Sequence, residues 1–375
     1  MTNSNISVSV IPNHPIGLNN QIFKRNFPLA TSWRGNTHWM DSNIELYNLC
    51  TKNNIKIATC DLLPPDQADV VLKFDLPQTY NEILDIKQSA PNSKLILLLQ
   101  ESPFLPYWFN KENHNLFNLI LTYNHKLIDG SRYQHVCLPI ANPPTQILPR
   151  NWESRKRCVV LQSNIYSGIK ASRTPFHYLK KIYFFRSKGW KFSWRDVIKT
   201  EQSLLYEHRR RFVQFFHQKY PQSIDVYGRG WEGKSDGWFY KLFPDRPYPI
   251  ETSIFQGEKL DLFQKYRFVL AFENYQGDEG YISEKLFDAF YAGAVPIYLG
   301  DLQISSYVDD RCFIDARKFK SLRHLIDFIE NCDKNSWQSI RKNIDQYIFS
   351  DKIKRFLPQA FAYAVINAVN YVVSL

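Results

Sequence analysis

Short, continuous apolar runs separated by polar stretches recur along the first part of the chain. They read NIKIATC, ADVVLKF, KLILLLQ, NLILTYN and RYQHVCLPI in order. Apolar runs of this length, without a strict polar alternation, are typical of strands buried on both faces of a parallel sheet. This pattern predicts that the first part of the chain folds around a parallel sheet.

The pattern restarts after IANPPTQILPR, a segment rich in proline that is typical of a domain boundary. The strand candidates are then RCVVLQSN, SIDVYG, RFVLAF and AVPIYLG, and helix candidates lie around residues 204–220, in GEKLDLFQKY and from Ser283 onward. Strands alternating with helices in two blocks predict two doubly wound α/β domains. We place these domains at residues 1–150 and 151–350.

The last apolar stretch, FLPQAFAYAVINAVNYVVSL, is the closest approach of the sequence to a membrane-spanning segment. A proline and two asparagines interrupt it, whereas Phe361, Val365, Val369 and Val372 recur at helical spacing. We therefore expect residues 351–375 to form a helix that packs back on the body of the protein.

Charge limits the kinds of ligand. The chain of 375 residues carries 47 Lys and Arg against 36 Asp and Glu, a formal net charge of +11. Such a protein attracts anions, and nucleic acid, an acidic membrane surface and phosphorylated small molecules are all candidate ligands.

The cysteines, the N-terminus and the acidic residues indicate whether the protein needs a metal and in which compartment it works. The six cysteines are far apart and form no C-x-x-C pair, which argues against a zinc site and a disulfide framework. The N-terminus is polar and lacks the features of a signal peptide, so we expect a cytoplasmic protein. Since no Asp-x-Asp motif stands at a strand end, we expect no required metal, with Mn²⁺ or Mg²⁺ at most stimulating.

One loop carries the clearest chemistry. RFVLAF is a strand candidate, ENYQGDEGY the loop and SEKLFDAFYA a helix with Ser283 as its N-cap. The free N–H groups of a helix N-terminus suit a diphosphate, and Lys285 adds a positive charge. Glu284 suits the hydroxyls of a sugar, and Asn274 adds an amide. These residues predict a nucleotide-sugar site, although Glu284 and Lys285 alone could also be ordinary first-turn residues.

A family resemblance favours the nucleotide-sugar site. The run YRFVLAFENYQGDEGYISEKLFDAFYAGAVPIYLGD resembles the signature of the α1,3/4-fucosyltransferases, glycosyltransferase family ten. LLLQESP, VVLQSN, DVYGRGW and the stretch SSYVDDRCFIDARKFKSLRHLIDFI resemble further motifs of that family, in the same order. The loop departs from the family by one extra residue and by Ser283, where threonine is usual.

The resemblance implies a bacterial-type member with two Rossmann-like domains that face a cleft, the architecture called GT-B. It implies an inverting transfer of L-fucose from GDP-fucose to a glycan acceptor, an oligosaccharide or a lipid-linked glycan, as an α1,3 linkage to a GlcNAc or Glc residue. The matched motif positions imply that Arg229, Asn274, Tyr281, Glu284 and Lys285 bind the donor, with Arg209 and Arg211 as weaker candidates for the diphosphate. They also imply that Glu101, from the first domain, is the general base.

Two other interpretations stay open at this point. One is a GT-B enzyme that uses another nucleotide sugar. The other is a basic protein without catalytic activity that binds nucleic acid or an anionic membrane. We expect no nucleic acid partner, but we do allow peripheral contact with the inner face of a membrane. Within residues 165–203, basic residues interleave with aromatic ones. This pattern resembles a surface that binds single-stranded nucleic acid, but it is more typical of a packed helix with a solvated face.

Overall fold

The computed structural model describes residues 6–25, 39–101, 105–146, 151–164, 175–231, 255, 257–277 and 279–375, with the side chains of 39 and 175–177 outside the description. Two parallel sheets organise the described residues. The strands are β1 Ser7–Ile11, β2 Lys56–Thr59, β3 Val70–Phe74, β4 Lys94–Leu99, β5 Leu119–Thr122, β6 Tyr133–His135, β7 Lys156–Leu161, β8 Ile224–Tyr227, β9 Tyr266–Phe272, β10 Val295–Leu299 and β11 Ile314–Asp315.

The helices lie between the strands and after the last strand along the chain. They are α1 Trp39–Lys52, α2 Tyr80–Ser89, α3 Pro175–Ser187, α4 Trp194–Ser203, α5 Tyr206–Lys219, α6 Lys259–Phe263, α7 Glu284–Tyr291, α8 Leu322–Asn331, α9 Lys334–Ile348 and α10 Pro358–Ser374.

The first sheet has the strand order β2-β1-β3-β4-β5-β6, and all its neighbouring strands are parallel. Every residue of β3 and β5 is buried, as a sheet covered on both faces requires. The predicted strands are confirmed, but the sequence analysis did not find β1. Its serines alternate with valines. The buried Ser9 hydroxyl is satisfied because it donates a hydrogen bond to the Leu63 carbonyl at 2.7 Å.

One face of the first sheet is covered by α1 and by the C-terminal helix α10. Phe361, Val365, Val369 and Val372 are buried in one cluster with apolar residues of β1, β3 and α1. The prediction that the C-terminal segment packs back on the body is confirmed. In the described part of the chain, no helix is long and apolar enough to cross a bilayer.

The other face of the first sheet is covered by a segment that follows β7 in sequence. Ile182 and Phe185 of α3 pack against a cluster that contains Trp190, Phe192 and the β4 residue Leu97. Residues of the second predicted domain thus complete the hydrophobic core of the first sheet. The domain limits themselves stay a prediction.

The second sheet has the strand order β11-β10-β9-β7-β8, again with all neighbours parallel. The strands β7, β9 and β10 form its centre, and α5, α7, α8 and α9 contribute to its largest core cluster. In this sheet the strand order reverses between β7 and β9. Doubly wound sheets bind their ligands beyond the carboxyl ends of the strands at such a reversal.

The loop ENYQGDEGY after β9 is called the signature loop below, and the predicted start of the helix that follows it is confirmed. Ser283 is the N-cap of α7, and its hydroxyl accepts a hydrogen bond from the Lys285 amide at 3.4 Å. Leu286, Phe287 and Phe290 are buried, and Gly293 follows the helix with a φ of 67°. The helix therefore begins at the carboxyl end of the sheet with its free N–H groups directed to the reversal point.

Candidate functional site

A cavity of about 270 Å³ lies at the point where the strand order of the second sheet reverses. Its walls include Gln162 and Ser163 after β7, Asn274 after β9, and Glu284 and Lys285 at the start of α7. Three of the predicted donor-binding residues are therefore close together in one cavity. The place and the residue types agree with a nucleotide-sugar site, and the roles of individual side chains stay predictions.

A buried carboxylate holds Lys285 in position. Glu273 has no exposed surface, and it accepts hydrogen bonds from the Ser283 amide at 2.8 Å and the Ser283 hydroxyl at 2.7 Å. The ammonium of Lys285 donates to the same carboxylate at 3.2 Å and to the Ser283 hydroxyl at 3.0 Å. Glu273 thus holds the first turn of α7 in place and also positions the ammonium of Lys285.

Two neighbouring carboxylates keep the Lys285 ammonium charged. Burial lowers the pKa of the Lys285 ammonium, but the carboxylates of Glu273 and Glu284 outweigh burial and raise it above its ordinary value. The side chain is 15% exposed, so its ammonium is held at the cavity wall and not in bulk water. A charged ammonium held in this way suits the oxygens of a diphosphate.

Glu284 lies between two ammonium groups. Its Oε1 is 3.9 Å from Nζ of Lys285 and 3.7 Å from Nζ of Lys259, and its side chain is 31% exposed. Burial raises the pKa of the Glu284 carboxyl, but the two lysines outweigh this effect and hold it well below its ordinary value. An ionised, partly exposed carboxylate can only accept hydrogen bonds, which is what the hydroxyls of a ribose require.

Lys259 is a residue that the sequence analysis did not single out. Its side chain is 10% exposed, it forms an ion pair of 2.5 Å with the buried Asp288, and it lines the same cavity. Burial lowers the pKa of Lys259, while Asp288 and Glu284 raise it above the ordinary value. The only sequence signal was its place in GEKLDLFQKY, a helix candidate to which no function was assigned.

Arg209 organises the loop side of the cavity. Its buried guanidinium donates to the carbonyls of Phe272 and Glu273 at 3.3 Å each and to Oδ1 of Asn274 at 3.0 Å. Burial lowers the pKa of Arg209 to about 10, so it stays charged at neutral pH. Arg209 thereby orients Asn274, and it is a cation of the cavity wall in its own right.

Arg229, the preferred candidate for the diphosphate, stands at the edge of this arrangement. Its side chain is exposed and is not among the described residues that line the cavity. Gly228, beside it, has a φ of 133°, and a Cβ there would be 2.4 Å from the Gln162 carbonyl oxygen. The turn therefore needs glycine in order to lie against the loop after β7. Arg211, the other weaker candidate, is exposed and pairs with Glu207 at 2.9 Å.

Tyr281 lies between the two sheets and is not among the described residues that line the cavity. Its ring is 5.4 Å from the ring of Tyr123, which follows β5 of the first sheet. Beside it, Gly280 has a φ of 94°, and a Cβ there would be only 2.9 Å from the Tyr123 carbonyl oxygen. The amide of His125 also donates to the Glu279 carbonyl at 3.1 Å. The signature loop therefore contacts the first sheet directly.

Glu101 follows β4 at the carboxyl end of the first sheet, and its side chain is exposed. The neighbouring motif residues Ser102 and Pro103 lie outside the described residues. The backbone of Glu101 is fixed on both sides: its amide donates to Oδ1 of the buried Asp75 at 3.1 Å, and its carbonyl accepts from the Tyr123 hydroxyl at 2.9 Å.

The charge of Glu101 acts on the same cavity. Burial raises the pKa of Tyr206, a residue of the cavity wall, and the charge of Lys285 lowers it while that of Glu101 raises it. A single phenol thus responds to the predicted base and to the predicted diphosphate lysine. Tyr206 is therefore within electrostatic range of both residues.

Comparisons with known proteins agree with the fold and with the predicted family. Residues 192–341 match the profile described as glycosyltransferase family 10 (fucosyltransferase) C-term. A sequence of Helicobacter pylori, "Alpha-(1,3)-fucosyltransferase FucT", is 35% identical over 72 residues, which are 19% of this chain and 15% of that protein. "Alpha-(1,3)-fucosyltransferase 4" of Bos taurus is 31% identical over 134 residues, 35% of this chain and 29% of that protein. These alignments span less than a third of either relative.

A solved structure, "Crystal Structure of alpha1,3-Fucosyltransferase with GDP-fucose", matches with a TM-score of 0.53 and 15% identity over 98% of this chain and 92% of that one. The fold is thus that of the GT-B glycosyltransferases, and the predicted fold class is confirmed. The predicted family resemblance is also confirmed: the matching profile of glycosyltransferase family 10 covers residues 192–341, which contain Asn274, Glu284 and Lys285.

Proposed function

We propose that this chain transfers L-fucose from GDP-fucose to a hydroxyl of a glycan acceptor, with inversion at the anomeric carbon. The observation that carries the proposal is the pairing of Glu284 with Lys285 at the N-terminus of α7, in a cavity at the strand reversal of a family 10 domain. The oligosaccharide or lipid-linked nature of the acceptor, and an α1,3 linkage to a GlcNAc or Glc residue, are part of the proposal.

The donor would be held by complementary groups. Lys285, assisted by Arg229 or Arg209 and by the free amides of α7, would bind the diphosphate. Glu284 would accept hydrogen bonds from the ribose, and Asn274, oriented by Arg209, would contact the nucleotide from the loop side. The positive charge would also stabilise GDP as it leaves, so that these contacts become stronger in the transition state.

The acceptor would be activated from the first domain. Glu101 would take the proton of the attacking hydroxyl as its oxygen bonds to the anomeric carbon. The bond from that carbon to the phosphate oxygen would break, and GDP would keep the electron pair. Attack from the face opposite GDP gives inversion, which fits a base and a diphosphate site on opposite sides of one cleft.

We infer that lysine and arginine neutralise the leaving diphosphate and that no metal is required, with Mn²⁺ or Mg²⁺ as stimulants at most. Activity measured after chelation with EDTA tests this point, because a required metal would abolish turnover. We also infer a cytoplasmic protein. All six cysteines are free thiols, and reducing compartments favour that state.

Binding and turnover test the function directly. Calorimetry should show that GDP and GDP-fucose bind, while UDP binds much more weakly. A screen of GDP-sugars against GlcNAc-containing and other acceptors should then give fucose transfer. Lys285→Ala should weaken both binding and turnover, and Lys342→Ala, at an exposed position of α9, is the control. Equal affinity for UDP, or transfer of a different sugar only, would contradict the proposal.

A further inference from the structure

The helix α3 and the start of α4 carry an unusual surface. Of their large apolar side chains, Leu179 is 62% exposed, Tyr183 78%, Phe184 54% and Trp194 57%. Three of these lie on one helix of 13 residues. Single exposed apolar residues are common on proteins, but several together on one short element mark a contact surface.

The side chains are exposed although the helix α3 is packed against the first sheet. Ile182 and Phe185 of the same helix point into the core of the first sheet, and Trp190 and Phe192 are buried behind it. The amide of Tyr80 donates to the Lys188 carbonyl at 2.9 Å, which fixes the turn after α3. The helix has therefore buried one apolar face and presents a second apolar face to solvent.

The surface is also strongly basic. Between residues 178 and 195 the chain has six basic residues and no acidic one: Lys180, Lys181, Arg186, Lys188, Lys191 and Arg195. Lys181 pairs with Glu201 and Lys191 pairs with Glu112, so part of this charge is compensated by neighbours. Lys188 and Arg195 lie over the rings of Phe184 and Trp194 at 5.9 and 5.8 Å. Cations therefore accompany the exposed aromatic rings.

We propose that this α3–α4 surface, formed by Leu179, Lys180, Tyr183, Phe184, Arg186 and Trp194, binds the anionic surface of a lipid bilayer. Aromatic and aliphatic side chains enter the headgroup region, and lysine and arginine attract anionic lipids. Nucleic acid would account for the charge and the rings, but Leu179 offers no ring on which a base could stack. The membrane is the partner that uses both properties.

The position of the surface gives it a consequence for the site. Helix α4 begins in the surface at Trp194 and ends at Ser203, whose carbonyl accepts from the Gln276 amide of the signature loop at 2.7 Å. A helix of ten residues spans about 15 Å. Binding to a bilayer through this surface would therefore hold the cleft close to the headgroups, within reach of a lipid-linked substrate.

Sedimentation with vesicles tests the surface. The wild-type chain should sediment with vesicles of phosphatidylcholine and phosphatidylglycerol, less so at high salt, and not with phosphatidylcholine alone. Two double variants, Tyr183→Ser with Phe184→Ser and Lys180→Glu with Arg186→Glu, should each lower vesicle binding about tenfold or more.

The matched controls make the same kinds of substitution at exposed positions outside the α3–α4 surface. Phe349→Ser with Tyr363→Ser removes two exposed rings, and Lys52→Glu with Lys342→Glu gives the same change of net charge. Both should bind vesicles like the wild type. All variants should keep GDP affinity and transfer to a soluble acceptor, which separates a failure of this proposal from a failure of the proposed function.

Three results would overturn the proposal. The α3–α4 variants could bind vesicles as well as their controls do. Single-stranded DNA could bind to the surface and displace the vesicles. The wild type could form a dimer that the variants lose, without any binding to vesicles. If a double variant failed to bind GDP in calorimetry, the single substitutions Tyr183→Ser and Arg186→Glu would replace it.

Discussion

The hydroxyl of Tyr123 donates a hydrogen bond of 2.9 Å to the backbone carbonyl of Glu101, and its ring packs on Tyr281 of the signature loop. One side chain therefore touches both the segment of the predicted base and the signature loop before α7. The position of Glu101 is defined relative to the donor side by this phenol and not by the first sheet alone.

Glu101→Gln tests the predicted base. Glutamine keeps the size of the side chain but cannot take the proton, so turnover should fall by about a hundredfold or more. Affinity for GDP-fucose should barely change, because Glu101 belongs to the opposite sheet. Steady-state kinetics and calorimetry measure the two quantities.

Asp85→Asn is the control, since Asp85 is another exposed acid of the first domain, on α2. Near-normal turnover in Glu101→Gln would leave Glu101 as a structural carboxylate. Attention would then pass to Glu112 or Asp129.

Tyr123→Phe removes one hydrogen bond and keeps the ring contact with Tyr281. Loss of a hydrogen bond of this kind costs about 1 kcal/mol, so kcat should fall about fivefold to tenfold while GDP affinity stays the same. The comparison is Tyr133→Phe, which removes a buried hydroxyl beside His114 in the same sheet. An equal effect of both substitutions on kcat would show a general loss of stability and no positioning of Glu101.

Lys259 and Asp288 should position Glu284 for the ribose. The double variant Lys259→Met with Asp288→Asn removes both charges together, which avoids leaving one buried charge unpaired. GDP affinity should fall about tenfold, or 1.4 kcal/mol, and the preference for GDP over 2′,3′-dideoxy-GDP should be lost.

Lys265→Met, at an exposed position two residues after α6, should leave both affinities unchanged. A double variant that still distinguishes GDP from its dideoxy analogue would show that Lys259 and Asp288 stabilise the helix and do not position Glu284.

Asp75 should make the stability of the protein depend on pH. Burial raises its pKa to about 7, and the charge of Glu101 adds to the shift. The folded state therefore binds the proton more tightly than the unfolded state. This contribution to stability is complete below the ordinary pKa and is lost as the pH rises toward 7 and above.

Between pH 5 and 8 the free energy of unfolding should fall by about 2.6 kcal/mol from this carboxyl, at about 1.4 kcal/mol per pKa unit. Urea unfolding at several pH values measures the slope. In Asp75→Asn the slope should be smaller over the same interval. An unchanged slope would mean that Asp75 is ionised throughout the range.

Local sequence patterns were sufficient to predict most strands, the start of α7 and the three cavity residues Asn274, Glu284 and Lys285. These features depend on neighbours in the chain: continuous apolar runs, an N-cap serine and a strand followed by a loop. The strand β1 was missed because its serines alternate with valines and because the bond that satisfies Ser9 comes from Leu63, far along the chain.

Contacts between distant segments could not be predicted. Glu273 was visible in the sequence beside Asn274, but its role depends on three hydrogen bonds that exist only once α7 has folded against β9. The same holds for Tyr123 with Glu101 and for Lys259 with Glu284. Each pair joins residues from different elements, and a single sequence gives no information on which elements will meet.

The helix α10 lies on the first sheet although it follows all strands of the second sheet in the chain. During synthesis on the ribosome, the strands β1 to β6 would leave the exit tunnel with the face later covered by α10 still open to solvent. That face can close only after the second domain has been translated. Shortening α10 should therefore expose the first sheet to aggregation and proteolysis, while the second sheet, hundreds of ångströms of extended chain away from the first strand, keeps its own core.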